Sequence, residues 1–108
     1  MKSILAIVAS QEIQHFLRNT LERSYNLTVC NYLAEGALLL QKMPDILILE
    51  LQSADFLIQY AKSLPPVVIA LTTVYSQSVI GTAENLGVDL LVRIPCTGAL
   101  IRYILDAF

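Results

Sequence analysis

The chain has 108 residues, 56% of them hydrophobic, with a net charge of −2 and a mean hydropathy of +0.62. That length suits one compact domain with a core large enough to fold without disulfides or metals. The seven basic residues are scattered and form no phosphate-backbone footprint, and no apolar run approaches the roughly 20 residues of a membrane span.

The elements follow in order. Ser3 to Ala9 is a continuous apolar run rich in β-branched residues and reads as a strand buried on both faces. Ser10 is placed to cap a helix that continues to Arg23, where Ile13, Phe16, Leu17 and Leu21 form the apolar stripe and Gln14, His15 and Arg18 fall outside it. Tyr25 to Tyr32 alternates like a second strand. Ala34 to Met43 reads as a short helix ended by Pro44, and Asp45 to Leu51 as a third strand. Gln52 to Asp55 reads as a loop, and Phe56 to Leu64 as a helix stopped by Pro65 and Pro66. Val67 to Leu71 is a fourth buried strand. Ser76 to Leu86 is a helix closed by Gly87, Val88 to Ile94 a fifth strand, and Gly98 to Phe108 a final helix capped by Thr97.

Five strand–helix repeats with short connections predict an α/β fold: a single domain spanning 1–108, with a five-stranded parallel sheet covered by helices on both faces as a three-layer sandwich. The functional crevice is expected at the carboxyl ends of the strands.

Several segments resemble the receiver domain of response regulators. They are Ile4 to Val8, the run Pro44 to Leu51 ending in Glu50, Pro66 to Thr72, and the Gly87-Val88-Asp89 turn followed by Pro95. The resemblance spans the whole chain and implies the flavodoxin-like (βα)5 strand order 2-1-3-4-5. It also implies a site: an aspartate nucleophile ending the third strand, an acidic pair holding Mg²⁺ near the end of the first, a Ser/Thr hydroxyl after the fourth, and a lysine after the fifth.

This chain departs from that site. The phosphoacceptor position is Glu50, whose longer side chain displaces the carboxylate by more than about 1 Å, a misplacement that costs on the order of a hundredfold in rate. The acidic pair falls on Val8 and Ala9, or with a one-residue slip on Ala9 and Ser10. The lysine position is Ile94, with Arg93 beside it on the opposite face of the strand. Thr72 keeps the hydroxyl, and Leu91 replaces the aromatic residue often found in the fifth strand. Of five polar pocket positions, one is kept, one altered and three lost. Glu50 is then either a mimic of a phosphorylated aspartate or a solvated carboxylate at a strand end.

Other chemistry finds no support. His15 reads as a surface helical residue. Cys30 and Cys96 have no metal-ligand spacing and read as small thiols in a reducing cytosol. The first strand–helix turn, Ala9-Ser10-Gln11, is not a glycine-rich phosphate loop. No catalytic residue, metal or cofactor is assigned.

The last helix carries two apolar stripes. Ile101, Ile104, Leu105 and Phe108 should cover the sheet. Leu100, Tyr103 and Ala107 lie beside them, either widening the core-facing stripe or forming a partner surface. In the second case the fourth helix, fifth strand (Leu91, Arg93) and fifth helix make one interaction face, rimmed by Asp89, Arg93, Arg102 and Asp106.

The expected function is that of a non-catalytic, cytoplasmic pseudo-receiver acting by protein–protein contact, most simply as a homodimer. It would regulate an attached or partner output domain in signalling or transcription, without itself binding nucleic acid or membrane. The rival readings are a small-ligand sensor using the crevice near Ala9, Ser10, Glu50 and Thr72, and a receiver with residual phosphotransfer to Glu50.

Overall fold

A computed structural model describes residues 1–60 and 65–108, with residues 56–60 described by their backbone alone. The strands are β1 (Ser3–Ile7), β2 (Asn26–Cys30), β3 (Ile46–Glu50), β4 (Val67–Thr72) and β5 (Leu90–Arg93). The helices are α1 (Gln11–Leu21), α2 (Leu33–Leu39) followed by a short 3-10 turn (Leu40–Lys42), α3 (Leu51–Tyr60), α4 (Gln77–Leu86) and α5 (Gly98–Asp106). All strand pairs are parallel, and the sheet order is β2-β1-β3-β4-β5. This is the flavodoxin-like (βα)5 sandwich with its expected strand order.

Alternation within each strand sorts the core into two halves. Ile4, Ala6, Ile46, Ile48, Ile69, Leu71 and Val92 point to one face and pack with Leu17, Leu21, Ile101 and Leu105 of α1 and α5. Leu5, Ile7, Leu47, Leu49 and Val68 point to the other and pack with Leu40, Ala54 and Leu86. The central strands are therefore apolar along their buried stretches, with polar residues only at their ends (Ser3, Glu50 and Thr72), as a sheet buried on both faces requires. Asp45 ties the start of β3 to that of β1: its Oδ2 accepts from the Ser3 amide at 2.8 Å, which with burial opposing and the Ser3 hydroxyl assisting holds its carboxyl below the usual range.

Ser10 and Thr97 cap their helices as expected, and Ser76, expected as the first residue of its helix, is a cap as well. Ser10 Oγ accepts from the Ile13 amide, Ser76 Oγ from Val79 and Thr97 Oγ1 from Leu100. Gly87 adopts φ 76° and closes α4 in the left-handed conformation that favours glycine. Gly36 sits where α2 meets β1, and a Cβ there would lie 2.3 Å from Ile7 Cδ1.

Three sequence expectations change and one alternative is decided. Phe108, expected to cover the sheet with Ile101, Ile104 and Leu105, is 43% exposed. The loop expected over Gln52–Asp55 is helical, because β3 runs straight into α3 at Leu51 and Ala54 is fully buried one turn on. Residues 61–64, expected to complete that helix, lie outside the described residues. Gln14, expected on the polar side of the first helix, is only 6% exposed. Finally, Leu100 and Tyr103 are 45% and 77% exposed, so the second stripe of α5 does not widen the core.

Candidate functional site: the crevice at the strand ends

The parallel sheet brings the ends of β1, β3, β4 and β5 to one edge. Glu50 closes β3 and is half-buried. Its Oε1 accepts a hydrogen bond from the Ala9 amide at 2.8 Å, and its Oε2 accepts from Gln52 Nε2 at 3.1 Å. The carboxylate is therefore not merely solvated. It spans from β3 to the segment after β1, at the place to which the resemblance assigns an acidic pair.

Val8 is buried, Ala9 exposed and Ser10 half-buried. The Val8 amide continues the β1–β2 ladder by donating to the Cys30 carbonyl at 3.0 Å. The Val8 carbonyl accepts from Gln14 Nε2 at 2.5 Å, and the same amide group donates to Asn31 Oδ1. Gln14 is thus the buried polar residue that satisfies the end of β1, a role invisible in an amphipathic pattern that sorts residues only by polarity.

Thr72 is buried at the end of β4, but its hydroxyl is turned into its own loop. Oγ1 donates to the Val74 carbonyl at 2.8 Å and accepts from the Val74 amide at 3.1 Å. Ile94 is 7% exposed and belongs to the core on the α1–α5 side; its amide donates to the Thr72 carbonyl at 2.8 Å, and the Ile94–Pro95 peptide is cis. The crevice thus carries a carboxylate bonded to backbone, a hydroxyl bonded to backbone, and an aliphatic side chain where the resemblance implies a cation. Among the described residues no group of three or more His, Cys, Asp or Glu side chains is placed to hold a metal ion.

One cavity of about 380 Å³ opens beside this crevice, between α1 and the β5–α5 turn. Ser10, Glu12, Ile13, Phe16, Thr73, Ile94, Pro95 and Cys96 line it. Ser10 and Ile94 were singled out in the sequence. Ile13, Phe16, Pro95 and Cys96 were not associated with the crevice, because their convergence depends on three segments far apart in the chain. Burial pushes the Cys96 thiol above its ordinary value.

On the remaining face, Leu91 is half-buried, and Arg93, Leu100, Arg102, Tyr103 and Ala107 are exposed. Both expected rim carboxylates are engaged within the fold: Asp89 Oδ2 accepts from the Val68 amide at 2.7 Å, and Asp106 accepts from the Tyr25 hydroxyl.

No family model matches the sequence, and no curated protein does. Solved structures do match in fold. The chemotaxis response regulator CheY4 of Vibrio cholerae superposes with a TM-score of 0.84 at 18% identity, over 99% of this chain and 98% of that one. The signal receiver domain of a putative LuxO repressor protein from Vibrio parahaemolyticus gives 0.83 at 14% identity, over 98% and 88%. A response regulator protein from Burkholderia multivorans gives 0.75 at 22% identity, over 99% and 94%. The chain has the fold of response-regulator receiver domains. At these identities the likeness is one of fold, and the chemistry must be argued from this chain's own residues.

Proposed function

We propose that this chain is a non-catalytic receiver-fold signalling domain that acts by protein–protein contact, with a second copy of itself as the first partner. The observation that carries the reading is the state of Glu50. Phosphoryl transfer is mostly positioning and charge neutralisation. Here the carboxylate in the acceptor position is already bonded to the Ala9 amide and to Gln52, and the neighbouring wall at Ile94 is aliphatic. The same arrangement disfavours Glu50 as a phosphoryl mimic, since the Thr72 hydroxyl it would have to attract is bonded to Val74.

The contact face would be α4, β5 and α5. The exposed Leu100 and Tyr103 supply an apolar centre, and tyrosine buries a large ring while keeping its hydroxyl wet. Arg93 and Arg102 supply cationic rim groups. Isologous pairing is the commonest way to cover such a patch.

Incubation with acetyl phosphate and Mg²⁺ followed by intact-mass spectrometry tests the non-catalytic part. The expected spectrum shows the unmodified mass. A stoichiometric phosphate adduct mapping to Glu50 would overturn the reading.

A further inference from the structure

The cavity beside the crevice has a chemical character of its own. Its volume, about 380 Å³, falls at the small end of the roughly 300–1,000 Å³ typical of small-molecule sites. Its wall is mostly apolar: Ile13 and Phe16 from α1, Ile94 just after β5, then Pro95 and Cys96. Among the described lining residues the polar side chains are those of Ser10, Glu12 and Thr73, and Glu12 is the one charged residue.

The electrostatic sign of the site follows from two opposed effects. The amino end of α1 presents a partial positive charge of roughly +0.5, which alone would favour an anion. Glu12 stands in the first turn of that helix with a full negative charge. One of the first-turn amides, that of Ile13, is already taken by Ser10 Oγ. Among the described lining residues the one full side-chain charge is that of Glu12, which is exposed to solvent. A carboxylate or phosphate entering it would meet Glu12 as a like charge, whereas a cation would meet an opposite one. Phe16 adds an aromatic wall, a surface that attracts organic cations.

We propose that this cavity binds a small organic ammonium ion: an apolar body seated against Ile13, Phe16, Ile94 and Pro95, with its charged head at Glu12. The site would couple to the fold through α1 and the β5–α5 turn that leads into α5. It is independent of whether the domain self-associates.

Cys96 provides a reporter already in the wall. Cys30 is buried, and burial with the nearby Glu35 charge pushes its thiol up to about 11, so a thiol reagent should reach Cys96 first. The experiment measures alkylation of Cys96 by iodoacetamide on the full chain, with benzylammonium, benzyl alcohol or benzoate as added probe. Amide NMR shifts of Ile13, Ile94 and Cys96 give a second readout that does not depend on thiol reactivity. Benzylammonium should slow Cys96 alkylation several-fold and shift those amides, benzyl alcohol should do so more weakly, and benzoate should do neither. Glu12→Gln, a change at an exposed position, should remove the preference for the ammonium over the alcohol. The proposal is overturned if benzylammonium neither protects Cys96 nor moves those amides at tens of millimolar. It is equally overturned if all three probes act alike, or if Glu12→Gln leaves the preference unchanged.

Discussion

Glu50 and Gln14 divide the work of finishing the sheet edge. Glu50 takes the Ala9 amide, and Gln14 gives its amide hydrogens to the Val8 carbonyl and to Asn31. The two differ in burial: Glu50 is half-buried, Gln14 nearly inaccessible. Losing a hydrogen bond near solvent costs little, while leaving a buried polar group unpaired costs about 1–3 kcal/mol. Glu50→Gln keeps an acceptor oxygen for Ala9 and should lower stability by less than about 1 kcal/mol. Gln14→Leu keeps the volume but removes the donors, and should cost more, on the order of 1–3 kcal/mol. Urea titration of both variants checks the order, and a Gln14→Leu protein as stable as Glu50→Gln would contradict it. Under the proposed function Glu50→Gln should also leave the oligomeric state unchanged. Glu50 could be located in the sequence because it ends an apolar run at a family-like spacing. Its partner could not, because Ala9 contributes only a backbone amide, which no side-chain pattern records.

At the level of elements, the strands were legible for a physical reason. A strand buried on both faces needs apolar residues throughout, so Ile46 to Leu49 and Val68 to Leu71 announce themselves as unbroken runs. The start of α3 was not legible, since Gln52, Ser53 and Asp55 look like turn residues when read singly. What makes the segment helical is Ala54, fully buried one turn after β3 ends. The second stripe of α5 was visible as a pattern, but its direction was not. A stripe at i, i+3, i+7 beside the core stripe can face either way until the neighbouring helix is placed. In the fold Leu100 and Tyr103 face outward while Ile101 and Leu105 are fully buried. Leu100→Glu with Tyr103→Glu should therefore yield a folded, more soluble monomer, with its stability changed by less than about 1 kcal/mol per site because neither side chain leaves the core. Size-exclusion chromatography together with circular dichroism decides it. Loss of helical signal would mean that these side chains do hold the core.

For the whole molecule, two buried groups set an alkaline limit. Burial, then the Asp106 hydrogen bond, then the Asp106 charge push the Tyr25 hydroxyl up from 10.0 to about 12. Burial and the Glu35 charge push the Cys30 thiol up from 9.0 to about 11, against a lowering contribution from its contact with Tyr32. Both are raised in the folded state, so the unfolded chain releases these protons first. Their contribution to stability is complete below about pH 9 and is lost as pH climbs from there through about 12. Melting temperatures taken at intervals from neutral to strongly alkaline pH should fall across that window. Tyr25→Phe should flatten the upper part and Cys30→Ala the lower part. A wild-type curve that stays level across the window would contradict the assignment.

Under the proposed function, this chain signals by contact and not by phosphate. Multi-angle light scattering over a range of protein concentrations, with and without acetyl phosphate and Mg²⁺, tests it most directly. The expected result is a concentration-dependent monomer–dimer equilibrium that is identical in both conditions and absent in the Leu100→Glu, Tyr103→Glu protein. A chain that stays monomeric at the highest concentration, or that dimerises only when acetyl phosphate and Mg²⁺ are present, would contradict it.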